Sequence, residues 1–476
     1  MPIFLFIVAL QLIAGFFTYE HTLGFDEAMW QYIGRNWFRH GLVPYSGGVD
    51  NKSPLIFAIY GFSDKLFGVN YWFPRLLGIG FQSLGLYYVY KMARHLSTQQ
   101  AALIALTIYG FSLVWHSTGG KYVSFTESYC VAFIIMTVYY SVAGYRNKSF
   151  FISGALGGLA FMFNIFAFFG IFSILVYLIL SKKSMTLSFL SGLLTSLFII
   201  IGILSMAGIH VHDIILFALY DNFGAGSVTD HSISWELNNF FNHFLFSEMT
   251  LLFPGFIGYF FINKRNDIFL IWLACEFVGL TVIGTFTPQH FKHLLPALSI
   301  MNALCLTYLI DFYGLPYKPI IIVLWICFFP KLLEPVFSLK GLLSATPKKK
   351  GIDQQAMDNQ ESDYGKKLLG LWIKSNTAPN DQVLIAGYGA IAQAYSERQS
   401  PTIYFNVTQT QLARKTLFND LQAHQPEMIC VPTFASYLVN VGADIRDFIG
   451  QLAGRKYALK DHVQGYAIYL KNKSQN

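Results

Sequence analysis

Charge is what this sequence has least of. Only 12% of its 476 residues are Asp, Glu, Lys or Arg, about half the ~25% of an ordinary soluble domain. With 54% hydrophobic residues, too few polar side chains remain to cover a soluble globule of this length. A cytosolic enzyme, a disordered chain and a fibrous protein are excluded together. Cysteine is also scarce. The five residues Cys130, Cys275, Cys305, Cys327 and Cys430 have no metal-ligand spacing, and four lie in apolar runs as expected of core thiols. The chain start lacks a basic stretch, and no A-x-A-like cleavage site precedes Glu20. The first apolar run therefore reads as a retained signal-anchor helix.

What is present is long apolar runs and aromatics, with 46 Phe and 28 Tyr. Runs of membrane-spanning length follow one another to about residue 335, and none follows. The sequence predicts about eleven spans, near 2–19, 73–93, 99–115, 126–144, 149–163, 165–181, 185–207, 249–262, 267–286, 292–311 and 317–335. The pair around Asn164 reads as two short helices or one kinked one. Basic loops at Lys91–Arg94, Tyr145–Lys148, Ser181–Lys183, Asn263–Arg265 and Tyr317–Lys318 each follow an even-numbered span. The positive-inside rule puts them, and the N-terminus, in the cytoplasm. The surplus of seven positive charges is then anchoring charge and points to no nucleic-acid partner. The long loops 20–72 and 208–248 fall outside, as does the C-terminal part.

Three regions are expected. Residues 1–335 form the membrane domain, 336–363 a polar linker, and 364–476 a small α/β domain. Short apolar bursts at Gln382–Ala386, Thr402–Phe405, Glu427–Val431 and Tyr466–Leu470 have strand length, and Gln409–His424 reads as a helix between them. Gly387-Tyr-Gly-Ala-Ile-Ala392 imitates a dinucleotide turn, but no acidic residue ends a second strand, so it reads as a plain strand-to-helix turn.

The charges that remain outside are concentrated. Loop 20–72 opens with Gly24-Phe-Asp-Glu-Ala-Met-Trp30, two adjacent carboxylates at a membrane surface, where charge is costly without a role. The bland reading is a helix start, with Asp26 capping a helix to His40 and Glu27 favoured by the helix dipole. Then come Gly41-Leu-Val-Pro-Tyr45 and Val49-Asp-Asn-Lys-Ser-Pro-Leu55. Lys52 is a snorkelling lysine or a phosphate-binding cation. Leu55–Phe67 reads as an amphipathic interfacial helix, and the next span opens Trp72-Phe-Pro-Arg75. Glu127, after Thr126, reads as a helix-start carboxylate or a substrate-facing one. In loop 208–248, His210, His212 and Asp213 suggest a metal motif, yet His231 and His243 supply no matched partner spacing, so these residues read as structural or acceptor-contacting.

The order of a short apolar helix, Asp-Glu, an aromatic-rich helix, G-x-x-P-Y, D-N-K-x-P-L, F-G and R-L-L-G resembles the GT-C superfamily of integral-membrane glycosyltransferases. Within it, the pattern is similar to the protein O-mannosyltransferase and lipid A aminoarabinose transferase type. Gly154-Ala-Leu-Gly-Gly-Leu-Ala-Phe161 is similar to that family's G-x-x-x-G-L-A-F helix, and Thr287-Pro-Gln-His-Phe-Lys-His-Leu-Leu-Pro296 to its late H-Y/F-x-x-x-L-P segment. The resemblance covers most of the first 310 residues. The family's K-P-P is Lys52-Ser-Pro here, and the lysine often found after G-L-A-F is replaced by Met162-Phe163-Asn164, so no role is carried to that position.

The resemblance implies a GT-C-like helical membrane domain with an extracytoplasmic α/β domain, seated in the bacterial inner membrane with its N-terminus in the cytoplasm. It implies hexosyl or pentosyl transfer from a polyprenyl-phosphate-linked donor to an acceptor hydroxyl, with inversion. The acceptor would be a glycolipid, polysaccharide or protein. By the same resemblance Asp26 is the general base and Glu27 supports it. Lys52 binds the donor phosphate, with Arg75 as a second candidate. Tyr45, Tyr122, Glu127 and His290 line the substrate cavity. Asp50 and Asn51 stand where some relatives place a metal-linked carboxylate, and His290 either joins them around a divalent ion or is a plain hydrogen-bonding residue; carboxylates suit hard cations and imidazole suits zinc. The alternative is a polytopic transporter or lipid flippase, which would show inverted repeats with broken helices; the sequence has no such symmetry.

Overall fold

The computed structural model describes residues 2–17, 22–220, 233–262, 267–327, 363–406, 411–434 and 441–472. The basic loop at Asn263–Arg265, the end of the last expected span, almost all of the linker 336–363, and His231 lie outside them. The chain forms two compact units. One comprises 1–19, 74–206 and 230–344, the other 20–73, 207–229 and 345–476.

Among its described residues the first unit is built of helices. Helices lie over the expected spans: Pro2–Phe17, Trp72–Leu96 (which enters this unit at Pro74), Gln99–Ser112, Thr126–Ala143, Asn147–Phe163, Ala167–Ser181, Thr186–Met206, Phe253–Ile262, Ile268–Ile283 and Leu295–Tyr313, then Tyr317–Cys327. Among the described residues three are long and apolar enough to cross a membrane by themselves: Thr126–Ala143, Lys183–Met206 and Leu295–Tyr313. A fourth span results if Ile233–Leu245 and Glu248–Ile262, bent by 49°, are taken together. The region around Asn164 is two helices. The first ends at Phe163, and the Asn164 side chain accepts the Phe166 amide at 3.0 Å to start the second. The glycines of the G-L-A-F stretch have a packing reason. A Cβ on Gly154 would strike the Phe189 carbonyl, and one on Gly192 would strike that of Phe151. Helices Asn147–Phe163 and Thr186–Met206 therefore meet backbone to backbone, the small-residue packing that joins helices in lipid.

The second unit holds the first outer loop and the C-terminal α/β fold. A four-stranded sheet has the order β1 (Val383–Ile385), β2 (Met428–Pro432), β4 (Tyr466–Lys471), β3 (Tyr457–Val463). β1 and β2 are parallel, and the other pairs antiparallel. Alternation along β1 sends Val383 and Ile385 to one face, with Leu369 and Ile373, and Leu384 to the other, with Leu417, Ile445 and Ile449. The sheet is thus covered by helices on both sides.

One expectation is corrected here. Thr402–Phe405 is not a strand: the Ile403 carbonyl accepts the Val49 amide at 3.0 Å, and Phe405 packs on Tyr32 with ring centroids 4.2 Å apart. Its apolar side chains are buried against the first outer loop instead of the sheet. The fourth strand is β3, whose Lys460-Asp-His462 stretch is solvent-exposed, so no apolar alternation announced it.

The loop 20–72 is a helical hairpin, Phe25–His40 and Pro54–Phe67. The helices cross at Gly34 and Gly61, where a Cβ on Gly34 would collide with the Gly61 amide and the Phe57 carbonyl. Asp64 locks the hairpin. It is 1% exposed and 2.8 Å from the Arg35 Nη2, and Arg39 also reaches it. Gln31 Nε2 donates to it at 2.6 Å. Burial alone would raise the Asp64 carboxyl, but Arg35, Gln31 and Arg39 hold it below the usual carboxylate range. Its contribution is therefore full at neutral pH and is lost as pH falls through the depressed value. Asp64→Ala leaves Arg35 buried and unpaired, and should cost about 3–5 kcal/mol, read as a lower melting temperature in detergent; an unchanged melting temperature would contradict this role.

Candidate functional site

The carboxylates of loop 20–72 stand in the second unit, at the start of helix Phe25–His40. Gly24 occupies the N-cap position and Glu27 closes a capping box, its Oε2 accepting the Gly24 amide at 2.7 Å. The expectation that Asp26 caps this helix is therefore corrected. Glu27 carries that role because it sits at the third helical position, from which a side chain reaches back to the cap. Its other oxygen lies 3.4 Å from the Tyr60 hydroxyl, and it is 1% exposed. Asp26 is beside it and half-exposed.

Asp50 is buried under the same hairpin. The Trp30 indole donates to its Oδ2 at 2.8 Å, and the Asn51 amide to its Oδ1 at 2.8 Å. Both oxygens are thus already accepting N–H groups. Among the described residues no group of three or more His, Cys, Asp or Glu side chains is placed to hold a metal ion. His212 Nδ1 lies 3.3 Å from the Asp213 carboxylate.

Lys52 follows on a backbone held from both sides. Tyr45, in the left-handed region at φ 73°, donates its hydroxyl to the Lys52 carbonyl at 2.7 Å. Ser53 is the N-cap and Pro54 the first residue of the next helix, a position proline favours. The Lys52 side chain is half-buried, and among the described residues nothing bonds or pairs with its ammonium. Tyr45 is buried, stacked on Phe217 at 5.4 Å. Burial, then the charges of Asp50 and Asp213, push its hydroxyl well above the usual value, so it acts as a neutral donor.

The first unit carries a second polar cluster. Helix Thr126–Ala143 presents Glu127, 3% exposed. Asn164 Nδ2 lies 3.4 Å from its Oε1, and the Thr126 hydroxyl 3.2 Å from its Oε2. His290 Nε2 is 3.8 Å from the same carboxylate, and its Nδ1 is 3.1 Å from the Thr287 hydroxyl. Proline at the first position starts the 3-10 turn Pro288–His293, which turns His290, Lys292 and His293 inward before the span Leu295–Tyr313. Tyr122, with the Lys121 ammonium 5.1 Å from its ring centroid, gives its carbonyl to the Lys292 ammonium at 2.7 Å. Arg75 is fully buried in this unit, its Nη1 3.3 Å from the Gly15 carbonyl.

Lys292, His293 and Asn164 were not picked out from the sequence. Lys292 is 1% exposed. A single lysine between Phe291 and His293 gives no signal of depth; only its place in the inward-turning segment could have flagged it. Burial pulls its ammonium down to about 8, with Glu127 acting in the opposite direction. In the folded chain it binds fewer protons than in the unfolded chain, whose lysine titrates near 10.5. The cost of the buried charge is thus present below about pH 8 and relieved as pH rises above it. Between pH 7.5 and 9.5 the wild-type protein should gain thermal stability relative to Lys292→Met; parallel pH curves would refute this.

Comparisons with known proteins bear on this fold. Residues 51–206 match the family model for dolichyl-phosphate-mannose-protein mannosyltransferase. A crystal structure of ArnT from Cupriavidus metallidurans bound to undecaprenyl phosphate is similar at 14% identity, with a TM-score of 0.64 over 99% of this chain and 98% of that one. The archaeal oligosaccharyltransferase AglB from Archaeoglobus fulgidus, in complex with an inhibitory peptide and a dolichol-phosphate, is similar at 12% identity, with a TM-score of 0.55 over 99% and 74%. No curated protein sequence matches.

Proposed function

We propose that the protein transfers a sugar from a polyprenyl-phosphate-linked donor to an acceptor hydroxyl on the outer side of the bacterial cytoplasmic membrane. The observation that carries this reading is the first outer loop. A half-exposed carboxylate, Asp26, stands at a helix start that other residues cap, and the same hairpin holds a backbone-fixed lysine, Lys52, whose ammonium has no bonded partner among the described residues. Supporting it are the match to a mannosyltransferase family model and the fold shared with a protein whose crystal structure holds undecaprenyl phosphate.

In this reading Asp26 takes the proton of the acceptor hydroxyl as its oxygen attacks the anomeric carbon. The bond from that carbon to the phosphate oxygen breaks, and the polyprenyl phosphate leaves with its charge held by Lys52. Attack opposite the leaving group inverts the anomeric centre. Glu27 supports Asp26 by fixing the helix start. Tyr45, Tyr122, Glu127 and His290 contact substrate, and Arg75 is a second candidate for the donor phosphate. Asp50, with both oxygens engaged, keeps Trp30 and the Asn51 turn in place. The chain would cross the membrane about eleven times, with the N-terminus in the cytoplasm and residues 364–476 outside. The sugar is a hexose or pentose, and the acceptor a glycolipid, a polysaccharide or a protein. Mass spectrometry of cell-envelope glycans with and without the gene tests this. A lost single-sugar mass is expected, and identical glycan profiles would reject it.

A further inference from the structure

The α/β fold of the second unit is bound to the first outer loop at the points that flank the candidate base. Tyr395, in the helix Ala390–Ser396, lies 372 and 373 residues along the chain from its partners. Its phenol oxygen accepts the Leu23 amide at 3.2 Å and the Thr22 hydroxyl at 3.3 Å. These residues immediately precede Gly24, whose own amide goes to Glu27. Two consecutive amides before the helix are therefore held, one from within the helix and one from the α/β fold.

The same stretch of the α/β fold continues along the hairpin. Arg35 Nη1 donates to the Ala394 carbonyl at 2.7 Å, and the Ser400 amide donates to the Tyr32 hydroxyl at 2.8 Å. The Val49 amide, next to Asp50, is bound to the Ile403 carbonyl. Tyr388, at the turn after β1, packs edge-on against Phe25, the neighbour of Asp26, with ring centroids 5.5 Å apart. Of these contacts only the Tyr395 phenol is a lone side-chain group acting directly on the backbone ahead of Asp26. Its hydroxyl can be removed while its ring stays.

We infer that Tyr395 is a positioning residue for the transfer reaction, and that the α/β fold sets the direction of the Asp26 carboxylate through it. This rests on the proposed role of Asp26. A reacting carboxylate must lie within hydrogen-bond reach of the acceptor hydroxyl, and a displacement of about 1 Å costs on the order of 10²-fold in rate. Losing the phenol frees the residues before the helix, so the helix start and Asp26 with it become loose. Donor phosphate binding, which falls to Lys52, is unaffected.

The test compares full-length wild-type, Tyr395→Phe, Thr22→Val and Asp26→Asn proteins in lipid vesicles. The probes are a panel of undecaprenyl-phosphate-linked hexoses and pentoses with extracted envelope glycolipids, and release of undecaprenyl phosphate is measured. Tyr395→Phe should lower kcat by about 10- to 100-fold with the KM for the donor unchanged, and should speed hydrogen exchange at Leu23–Glu27. Thr22→Val should lower kcat less, because the Leu23 bond remains. An unchanged kcat in Tyr395→Phe, or a loss confined to melting temperature, overturns the positioning role. If Asp26→Asn also keeps its activity, it is the underlying reading of the site that fails.

Discussion

Asp26→Asn should lower kcat by about 10²–10⁴-fold, the range that a positioned general base contributes, and leave the protein folded. The structure separates these two outcomes. Adjacent carboxylates at a helix start are ordinarily suspected of capping, and a cap residue cannot be replaced without loss of stability. Here the capping bonds belong to Gly24 and Glu27. Asp26 is half-exposed at the next-to-first helical position, where asparagine fits the same space. Glu27→Gln makes the useful contrast. It weakens the capping box and the approach of Tyr60, so its loss of activity should come with a lower melting temperature. An Asp26→Asn protein with wild-type kcat, or one that unfolds, would contradict the division of labour between the two carboxylates.

Lys52→Met should lower kcat/KM for the lipid-linked donor by about 10²–10³-fold, the effect of removing one group that stabilises developing charge. The backbone around Lys52 is fixed by the Tyr45 hydroxyl on its carbonyl and by the helix that begins at Pro54. Its ammonium has no bonded partner among the described residues, so methionine removes charge without leaving a buried group unpaired. Lys52→Arg should retain part of the activity, since a guanidinium also binds phosphate. Full donor turnover by Lys52→Met would remove the lysine from the reaction. Arg75 gives the opposite expectation. It is buried against the Gly15 carbonyl, so its loss should appear in stability first.

The sequence made the helical membrane domain legible because apolar runs, basic loops and glycine spacing are local signals. Helices stand over each of the expected spans, and the G-L-A-F glycines prove to be a helix crossing. Strands were legible where they are buried. β1, β2 and β4 alternate or run apolar, whereas β3 is an exposed edge and was hidden. Thr402–Phe405 misled for a related reason. Its apolar residues do pack, but against Tyr32 and Val49, more than 300 residues earlier in the chain.

The site was legible where chemistry clusters in sequence, as in Asp26-Glu27 and Asp50-Asn-Lys52. It was hidden where side chains converge from distant segments. Asp64 read as the polar end of an interfacial helix, yet it is the buried partner of two arginines. Lys292 and Asn164 were not picked out, yet both join the surroundings of Glu127. Tyr395 carried no sequence signal, because its partners lie at the far end of the chain.

The central claim is that this chain moves a sugar from a polyprenyl phosphate to a hydroxyl using Asp26. The most direct measurement is a single assay on purified protein in vesicles, with undecaprenyl-phosphate-linked sugars supplied on the outer face together with envelope glycolipids. Wild-type protein should release undecaprenyl phosphate and form one new glycosidic product, and Asp26→Asn should form none above background. Movement of the intact lipid-linked sugar between leaflets with no product formed, equal in both proteins, would contradict the account and identify a flippase.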